Sequence, residues 1–302
     1  MAGRGSSSIS SRTSASSSTS DSRPGPWPRL VGAIRLTHPF PSILDGIISG
    51  SIATLAGGSP PTAIRLGLAM VALQLGIGAV NDLIDAPRDA GLKPGKPIPA
   101  GLVSSGAAGQ IALAALGVGL LLAVATGPLV AGLAVLVIAI GLAYDLRLKG
   151  TAWSWLPFAV GIPILPVFGW AGATDGLDPM FAVLVPAAAA AGAALAIANS
   201  LVDDERDRAA GVSSVAVALG EGTARSVALL LLGGVAVAAA LSTSVLGGGP
   251  QATLIIGLVG IVPLLAAGLA RAADPARREL AWRAQAIGLG LLAIAWIRAV
   301  VR

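Results

Sequence analysis

Long apolar stretches, most of them about twenty residues in length, alternate with short polar segments through most of the chain. Nine such stretches follow one another, at residues 42–57, 64–85, 104–125, 128–144, 153–171, 181–203, 224–243, 252–271 and 281–299. A helix needs about 20 apolar residues to cross the hydrocarbon core of a bilayer. The alternating strands of about ten residues that mark a membrane β-barrel are missing from the pattern. The sequence therefore predicts an all-α, polytopic membrane helix bundle of about nine transmembrane helices.

Composition supports a membrane protein and excludes several kinds of chemistry. The 302 residues are 55% hydrophobic and 12% charged, with a mean hydropathy of +0.83, whereas about one quarter of a soluble domain is charged. Cysteine is absent, which excludes thiolate nucleophiles and disulfides. One histidine cannot build a zinc site. The net charge of +5 fits loops that face anionic lipid, so we expect no nucleic-acid partner.

The distribution of Lys and Arg predicts how the chain lies in the membrane. Residues 1–29 are rich in serine and predict a disordered tail, followed by a single transmembrane domain at 30–302. With the N-terminus in the cytoplasm, 17 of the 20 Lys and Arg residues fall on the cytoplasmic side, as the positive-inside rule requires. We therefore expect a multi-pass protein of the cell membrane with a cytoplasmic N-terminus.

Acidic residues concentrate in two windows, one after the second apolar segment and one after the sixth. Residues 81–89 read NDLIDAPRD and residues 199–207 read NSLVDDERD, and together they hold seven of the fifteen Asp and Glu residues. The two segments run in the same direction, so both windows should face the cytoplasm. In each window an Asn and two Asp residues step by four, which places them on one helical face if the helix continues. Pro87 makes that continuation doubtful for Asp89.

The depth of these acids favours a metal site. An uncompensated carboxylate below the headgroups costs roughly 2.5–3.5 kcal/mol, and divalent cations take oxygen ligands and bridge to phosphates. Basic residues lie beside the acids: Arg88, Lys93 and Lys96 after the first window, Arg206 and Arg208 at the second, and Arg147 and Lys149 next to Tyr144. Acids and bases together suit a metal–diphosphate. The simpler alternative is that the acids cap solvated helix ends.

At these residues the sequence resembles the UbiA superfamily of intramembrane prenyltransferases. The first window matches the family pattern NDxxDxxxD, and the second matches an NxxxDxExD variant. Arg35 to Pro39, the turn from Lys96 to Gly101 and the RAAGV run after Asp207 are similar to family segments as well. Ser200 stands where some members have Asp, and Leu148 where many have a basic residue.

The resemblance implies a site that binds a polyprenyl diphosphate through Mg²⁺. The implied metal ligands are Asn81, Asp82, Asp85, Asp89, Asn199, Asp203, Glu205 and Asp207. Among them, Asp82, Asp85, Asp203 and Asp207 are expected to be essential for catalysis. The residues implied to bind the diphosphate are Arg35, Arg88, Lys96, Tyr144, Arg147 and Lys149. The implied reaction transfers the prenyl group to an aromatic or other lipophilic acceptor and releases diphosphate at the cytoplasmic side. The second window favours a quinone precursor as the acceptor, whereas the turn from Lys96 to Gly101 is also similar to glycerol-phosphate and chlorophyll-type enzymes.

Two other functions remain open at the level of sequence. Within the same fold, an intramembrane terpene cyclase would quench the allylic cation internally. From a different class, a cation-coupled transporter would use intramembrane carboxylates as its ion path, although transporters bind their ions near the bilayer midplane. Asp45 and Gln74 could contact the acceptor or join two helices by a hydrogen bond. His38, beside a proline, is expected to be structural.

Overall fold

The computed structural model describes residues 24–91, 93, 95–174, 176–269 and 274–301, and in these ranges all regular structure is helical. Twelve helices follow one another: α1 Pro26–Leu36, α2 Pro39–Leu55, α3 Pro60–Asp89, α4 Ser105–Val124, α5 Pro128–Ala143, α6 Leu156–Thr174, α7 Phe181–Val202, α8 Asp204–Ala209, α9 Val215–Leu219, α10 Glu221–Val245, α11 Pro250–Leu269 and α12 Pro275–Val300. A π-helical turn, Tyr144–Leu148, extends α5. Residues 1–23 of the predicted tail lie outside the described residues, and α1 begins at Pro26, inside the last part of that tail.

The nine predicted apolar segments correspond to nine of these helices. Eight helices in the described residues are long and apolar enough to cross a membrane by length and composition. The ninth, α2, has 17 residues and was also the shortest apolar stretch in the sequence. The predicted all-helical membrane bundle is confirmed, and the protein is a multi-pass membrane protein. The short helices α1, α8 and α9 were not predicted.

The long helices form a closed ring. Each of them packs on the next along the chain, and α12 packs back on α2. Contacts of α2 with α6 and of α7 with α12 cross the interior. The helices α3, α5, α7 and α11 all finish at the same end of the ring. We call it the acidic end, because both acidic windows lie there.

Small residues allow the helices to approach closely, as membrane bundles require. A Cβ atom added to Gly169 of α6 would lie 2.3 Å from the carbonyl oxygen of Ser49 in α2, and one added to Gly192 of α7 would lie 2.2 Å from the carbonyl oxygen of Phe158 in α6. Backbones therefore touch at these points. The glycine-rich composition is a packing requirement of the fold.

Candidate active site

The first acidic window lies on one continuous helix. Helix α3 runs through Pro87 to Asp89, so the expected break at the proline does not occur. Asp82, Asp85 and Asp89 are buried, with 3%, 6% and 4% of their surface exposed. Asn81, half-buried, precedes them. Three carboxylates thus occupy successive turns at the inner side of the acidic end.

Each of these buried carboxylates meets a basic side chain from another part of the chain or from the next turn. Lys96 donates to Asp82, and Lys149 donates to Asp85. Lys93 lies 3.5 Å from Asp89. A buried charge needs a partner because desolvation is costly. The first window is therefore a cluster of paired charges and not a row of solvated capping acids.

Local backbone structure brings the two lysines to the acids. Lys96 begins a turn in which its carbonyl oxygen accepts a hydrogen bond from Ala100 N. The carbonyl oxygen of Pro97, a fully buried residue, accepts one from Leu102 N. Lys149 follows the π-helical turn and lies 5.8 Å from the centre of the Tyr144 ring. Short π-helical insertions are common at functional sites. Both lysines were predicted to bind diphosphate, and the structure brings both to the first window.

His38 also belongs to this cluster, although the sequence analysis placed it as structural. Its Nε2 lies 2.9 Å from Asp82 Oδ1. His38 links α1 to α2 with a φ of 49°, and among the described residues it is the only non-glycine with a positive φ. Gly78 makes room for this turn, since a Cβ there would lie 2.9 Å from Thr37 O. Gly78 is one helical turn before Asp82, so the close approach sets His38 against that carboxylate.

Asp145 is a second residue that the sequence analysis missed. It lies in the π-helical turn, is 8% exposed, and accepts a hydrogen bond from Asn81 Nδ2. Asn81 was predicted as a metal ligand through its side-chain oxygen. Because its amide nitrogen is held by Asp145, that oxygen is given a fixed orientation.

The second acidic window does not form the single helical face that its spacing predicted. Helix α7 ends at Val202 and α8 begins at Asp204, with Asp203 between them at φ −103°, ψ 7°. Asp203 pairs with Arg206 at 2.7 Å and is partly exposed, whereas Asp204 is buried and pairs with Arg208 at 3.0 Å. Glu205 is exposed and pairs with Arg278 of α12 at 3.2 Å. The condition for one face through Asn199, Asp203 and Asp207, a helix that continues, is therefore not met.

Two serines hold this second window against the bundle. Ser200 Oγ accepts from Ala216 N at 3.1 Å, and Ser154 Oγ accepts from Val215 N at 3.3 Å. Both bonds fix the start of α9, which follows the loop after α8. Ser200, one of the departures from the family pattern, thus has a structural role here.

Asp207 has a raised carboxyl pKa, and a cation bound beside it would lower that pKa. Burial, and next the negative charge of Asp203, raise the pKa of the Asp207 carboxyl above its ordinary value. Lys93, which follows the first window, lies within electrostatic range of Asp207 and opposes this rise. Asp207 of the second window is therefore within electrostatic range of a lysine that follows the first window.

Tyr144 lies where the two windows meet. The charges of Asp85, Asp203 and Asp207 all act on its hydroxyl, and its ring packs edge-on against Phe158 at 5.7 Å. Among the other predicted diphosphate ligands, Arg35 reaches the loop beside Lys96, with its guanidinium 3.7 Å from a Cβ built on Gly95. Arg88 and Arg147 are exposed at the same end.

The donor set fits a hard divalent cation. Asp82 Oδ2, Asp145 Oδ2 and Asp204 Oδ1 are buried and have no hydrogen-bond partner among the described residues. In the described part of the chain, no three His, Asp or Glu side chains lie close enough together to hold a metal ion by themselves. Oxygen donors that are few and spread suit an ion such as Mg²⁺, which keeps several waters and binds phosphate oxygens.

A large apolar cavity lies inside the ring. The helices α2, α6, α7, α10 and α12 line it, and its empty space, including the part that is open to the surroundings, is about 800 Å³. Its walls are aliphatic apart from Trp296 and one carboxyl group, Asp45, whose Oδ2 accepts from Gln74 Nε2 at 2.6 Å. Gln74 and Asp82 are on the same helix, about 12 Å apart along its axis. The cavity is therefore suited to an aliphatic chain.

Comparison with known proteins agrees with this geometry. Residues 46–289 match the family model of the UbiA prenyltransferase family. A digeranylgeranylglyceryl phosphate synthase of Methanoregula boonei is 32% identical over 196 residues, which span 63% of this chain and 68% of the relative. The chloroplastic chlorophyll synthase of Oryza sativa subsp. japonica is 36% identical over 158 residues, 48% of this chain and 42% of the relative.

A solved structure shows the same fold. The UbiA homologue of Archaeoglobus fulgidus, bound to GPP and Mg²⁺, superposes with a TM-score of 0.69 over 89% of this chain and 99% of the homologue, at 18% identity. Fold and site thus define an integral-membrane helix bundle with a charged, oxygen-rich site at one end. The chain belongs to the UbiA prenyltransferase family, whose members are enzymes that transfer prenyl groups.

Proposed function

We propose that the protein is a Mg²⁺-dependent prenyltransferase that joins the prenyl group of a polyprenyl diphosphate to a lipophilic acceptor and releases diphosphate. One observation carries the proposal: two acidic windows lie at one end of a helix bundle, lysines pair with acids of the first window, and the bundle also contains an aliphatic cavity. A charged headgroup and an apolar tail on the same substrate require this combination. The named activities of the relatives agree with it.

The metal ligands in this proposal are the acids of both windows. Asn81, Asp82, Asp85 and Asp89 would hold one Mg²⁺, and Asn199, Asp203, Glu205 and Asp207 would hold another. When bound, Mg²⁺ supplies Lewis-acid stabilisation of the charge that develops on the diphosphate. Asp145 holds the Asn81 amide, and His38 holds Asp82, so both act as positioning residues.

The basic residues stabilise the leaving group. Lys96 and Lys149 meet the acids of the first window, and their ammonium groups donate to diphosphate oxygens when the substrate is bound. Tyr144, Arg35, Arg88 and Arg147 line the approach from the same end. The bond between C1 of the prenyl group and the diphosphate oxygen breaks with its electron pair going to oxygen. The acceptor then forms a bond to C1 and loses a proton.

The cavity holds the prenyl chain. Its aliphatic walls exclude water from the allylic cation, and this exclusion favours transfer over hydrolysis. The closed ring of helices leaves the acidic end as the side from which the diphosphate binds. On the strength of the Lys and Arg distribution, we place this end at the cytoplasmic side of the membrane. Residues 30–302 as a whole form one membrane-spanning catalytic domain in this proposal.

Two acceptor classes follow from different observations. The second acidic window favours a quinone precursor, as the sequence analysis inferred. The relatives named digeranylgeranylglyceryl phosphate synthase favour a glycerol phosphate ether lipid. A hydroxyl or aromatic acceptor would reach C1 at the boundary between the cavity and the acids.

A screen of donors and acceptors by mass spectrometry tests the proposal. Purified protein is incubated with prenyl diphosphates of several chain lengths, with an aromatic acid, a glycerol phosphate ether lipid or no acceptor, each with and without Mg²⁺. A prenylated acceptor formed only with Mg²⁺ supports the proposal. A cyclic terpene formed without acceptor would assign the protein to the cyclases, and uncleaved donor under all conditions would contradict the proposal.

A further inference from the structure

A second pocket, separate from the aliphatic cavity, opens between α7, α10, α11 and α12. The empty space in and around it, including the part that is open to the surroundings, is about 440 Å³. Ala198 and Leu201 come from the end of α7, Arg225 from the start of α10, Ala267 from the end of α11, and Arg278 from the start of α12. The pocket therefore lies at the acidic end of the bundle.

Two arginines and a glutamine form the polar part of this pocket. Arg278 is 7% exposed and Gln285 is 1% exposed. Arg278 donates a hydrogen bond through Nη1 to Glu205, while its buried Nε has no hydrogen-bond partner among the described residues. Arg225 donates to Glu221 at 2.8 Å through Nη2. Both glutamates are exposed, and neither is among the residues that line the pocket.

Gln285 adds a hydrogen-bond acceptor. Its Nε2 donates to Ala281 O at 3.3 Å, which leaves Oε1 buried without a partner in the described part of the chain. Such a group is costly unless a ligand or water donates to it. Ala198, Ala228, Leu229 and Ala267 give the rest of the pocket an apolar surface.

We propose that this pocket binds a phosphate ester that also carries a hydroxyl group, such as a glycerol phosphate headgroup. The guanidinium of Arg278, with that of Arg225, donates to the phosphate oxygens. Gln285 Oε1 accepts from the hydroxyl. The alanines and Leu229 contact the first carbons of the lipid chains.

The pocket is also connected to the second acidic window. Arg278 bonds to Glu205, two residues from both Asp203 and Asp207. A phosphate on Arg278 therefore acts on the position of α8. This pocket is separate from the aliphatic cavity, and its binding test does not depend on whether the protein transfers a prenyl group.

Binding measurements on delipidated full-length protein in detergent test the proposal. Native mass spectrometry with phosphatidylglycerol, with diacylglycerol and with soluble glycerol 1-phosphate separates the phosphate from the chains. We expect phosphatidylglycerol to bind the wild-type protein. Its binding should be about 10-fold weaker in Arg278→Gln and in Arg225→Gln. Diacylglycerol should bind the wild type and both variants equally. Equal variant dependence for glycerol 1-phosphate would support the same site with a soluble phosphate as its source.

Matched variants control for a loss of binding that is caused by unfolding. Arg278→Lys keeps the charge and should retain most of the affinity for phosphatidylglycerol. Gln285→Leu should weaken the binding of phosphatidylglycerol more than the binding of a lipid phosphate that lacks hydroxyls. Arg277→Gln removes the neighbouring exposed arginine and should bind as wild type does. Phosphatidylglycerol affinity that is unchanged in both Arg278→Gln and Arg225→Gln, or lost equally in Arg277→Gln, would overturn the proposal.

Discussion

The buried carboxylates of the two acidic windows are stable because each has a specific basic partner. Asp85 shows the consequence most directly, since it is 6% exposed and pairs with Lys149. Removing one member of such a pair leaves the other charge uncompensated. A variant that keeps shape and hydrogen bonding while removing charge therefore separates chemistry from folding better than an alanine does.

Asp85→Asn should lower turnover of a prenyl diphosphate at least about 100-fold, because it removes the charge that would hold Mg²⁺ near the leaving group. Turnover is measured as product formation by purified protein, with thermal unfolding in detergent as the check on folding. Asp178→Asn, at the opposite end of the bundle, is the matched control and should keep wild-type turnover. Near-normal turnover in Asp85→Asn would remove Asp85 from the site.

Lys96→Met should raise the KM for the prenyl diphosphate and lower kcat about 10²–10³-fold. The reason is that the ammonium contacts the diphosphate both in the bound substrate and in the transition state, where its charge develops. Steady-state kinetics over a range of donor concentrations measure both constants. Arg277→Gln removes an exposed positive charge at the same end and should change neither by more than about twofold. A Lys96→Met enzyme with unaltered kinetics would show that Lys96 pairs with Asp82 for stability alone.

Spacing along the chain predicted the first window and its lysines, but it could not predict His38 or Asp145. The contact of His38 with Asp82 depends on a left-handed turn that packs against Gly78. The contact of Asp145 with Asn81 depends on the π-helical turn after α5. Both are tertiary features. A glycine four residues before an acid is too common a pattern to have identified them.

The helices themselves followed from hydropathy, because a helix in a bilayer must satisfy its backbone internally over about 20 residues. The break between α7 and α8 did not follow, since the sequence at 199–207 has the spacing of a continuous helix. Bonds from Ser200 and Ser154 to the start of α9 hold the chain after the break. The short helices lie at the ends of the bundle, where hydropathy carries little signal.

Glycine contacts between helices predict a difference in stability. Gly192→Ala should destabilise the protein by about 1–3 kcal/mol because its Cβ would lie 2.2 Å from Phe158 O. Gly233→Ala, in α10, meets nothing within 4 Å and should be neutral or slightly stabilising, since alanine favours a helix. Thermal inactivation in detergent compares the two. Equal inactivation temperatures for both variants and wild type would contradict the close packing of α6 and α7.

The cavity inside the ring predicts which donors are accepted. Ala188 lines it, so Ala188→Trp should shorten the space for the prenyl chain. We expect kcat/KM to fall at least about 10-fold for a C20 donor and to change little for dimethylallyl diphosphate. Val237→Trp, on the outward face of α10, should leave the preference unchanged. The same loss for donors of all lengths would show that the chain does not occupy the cavity.

Because the chain lacks cysteine, single cysteines can report its orientation. Ala210 is exposed at the acidic end and Ser244 is exposed at the opposite end, and each is replaced by cysteine in a separate variant. We expect a membrane-impermeant thiol reagent to label Ser244→Cys from outside intact cells and Ala210→Cys only after the membrane is opened. The reverse labelling would show that the acidic end faces outward.

The central claim is that both acidic windows act on one prenyl diphosphate with Mg²⁺. Release of inorganic diphosphate as a function of Mg²⁺ concentration, compared among wild type, Asp85→Asn and Asp207→Asn, tests it most directly. Release that requires Mg²⁺ in wild type and falls at least about 100-fold in each variant is the predicted result. Release without Mg²⁺, or release that survives loss of either window, would contradict the claim.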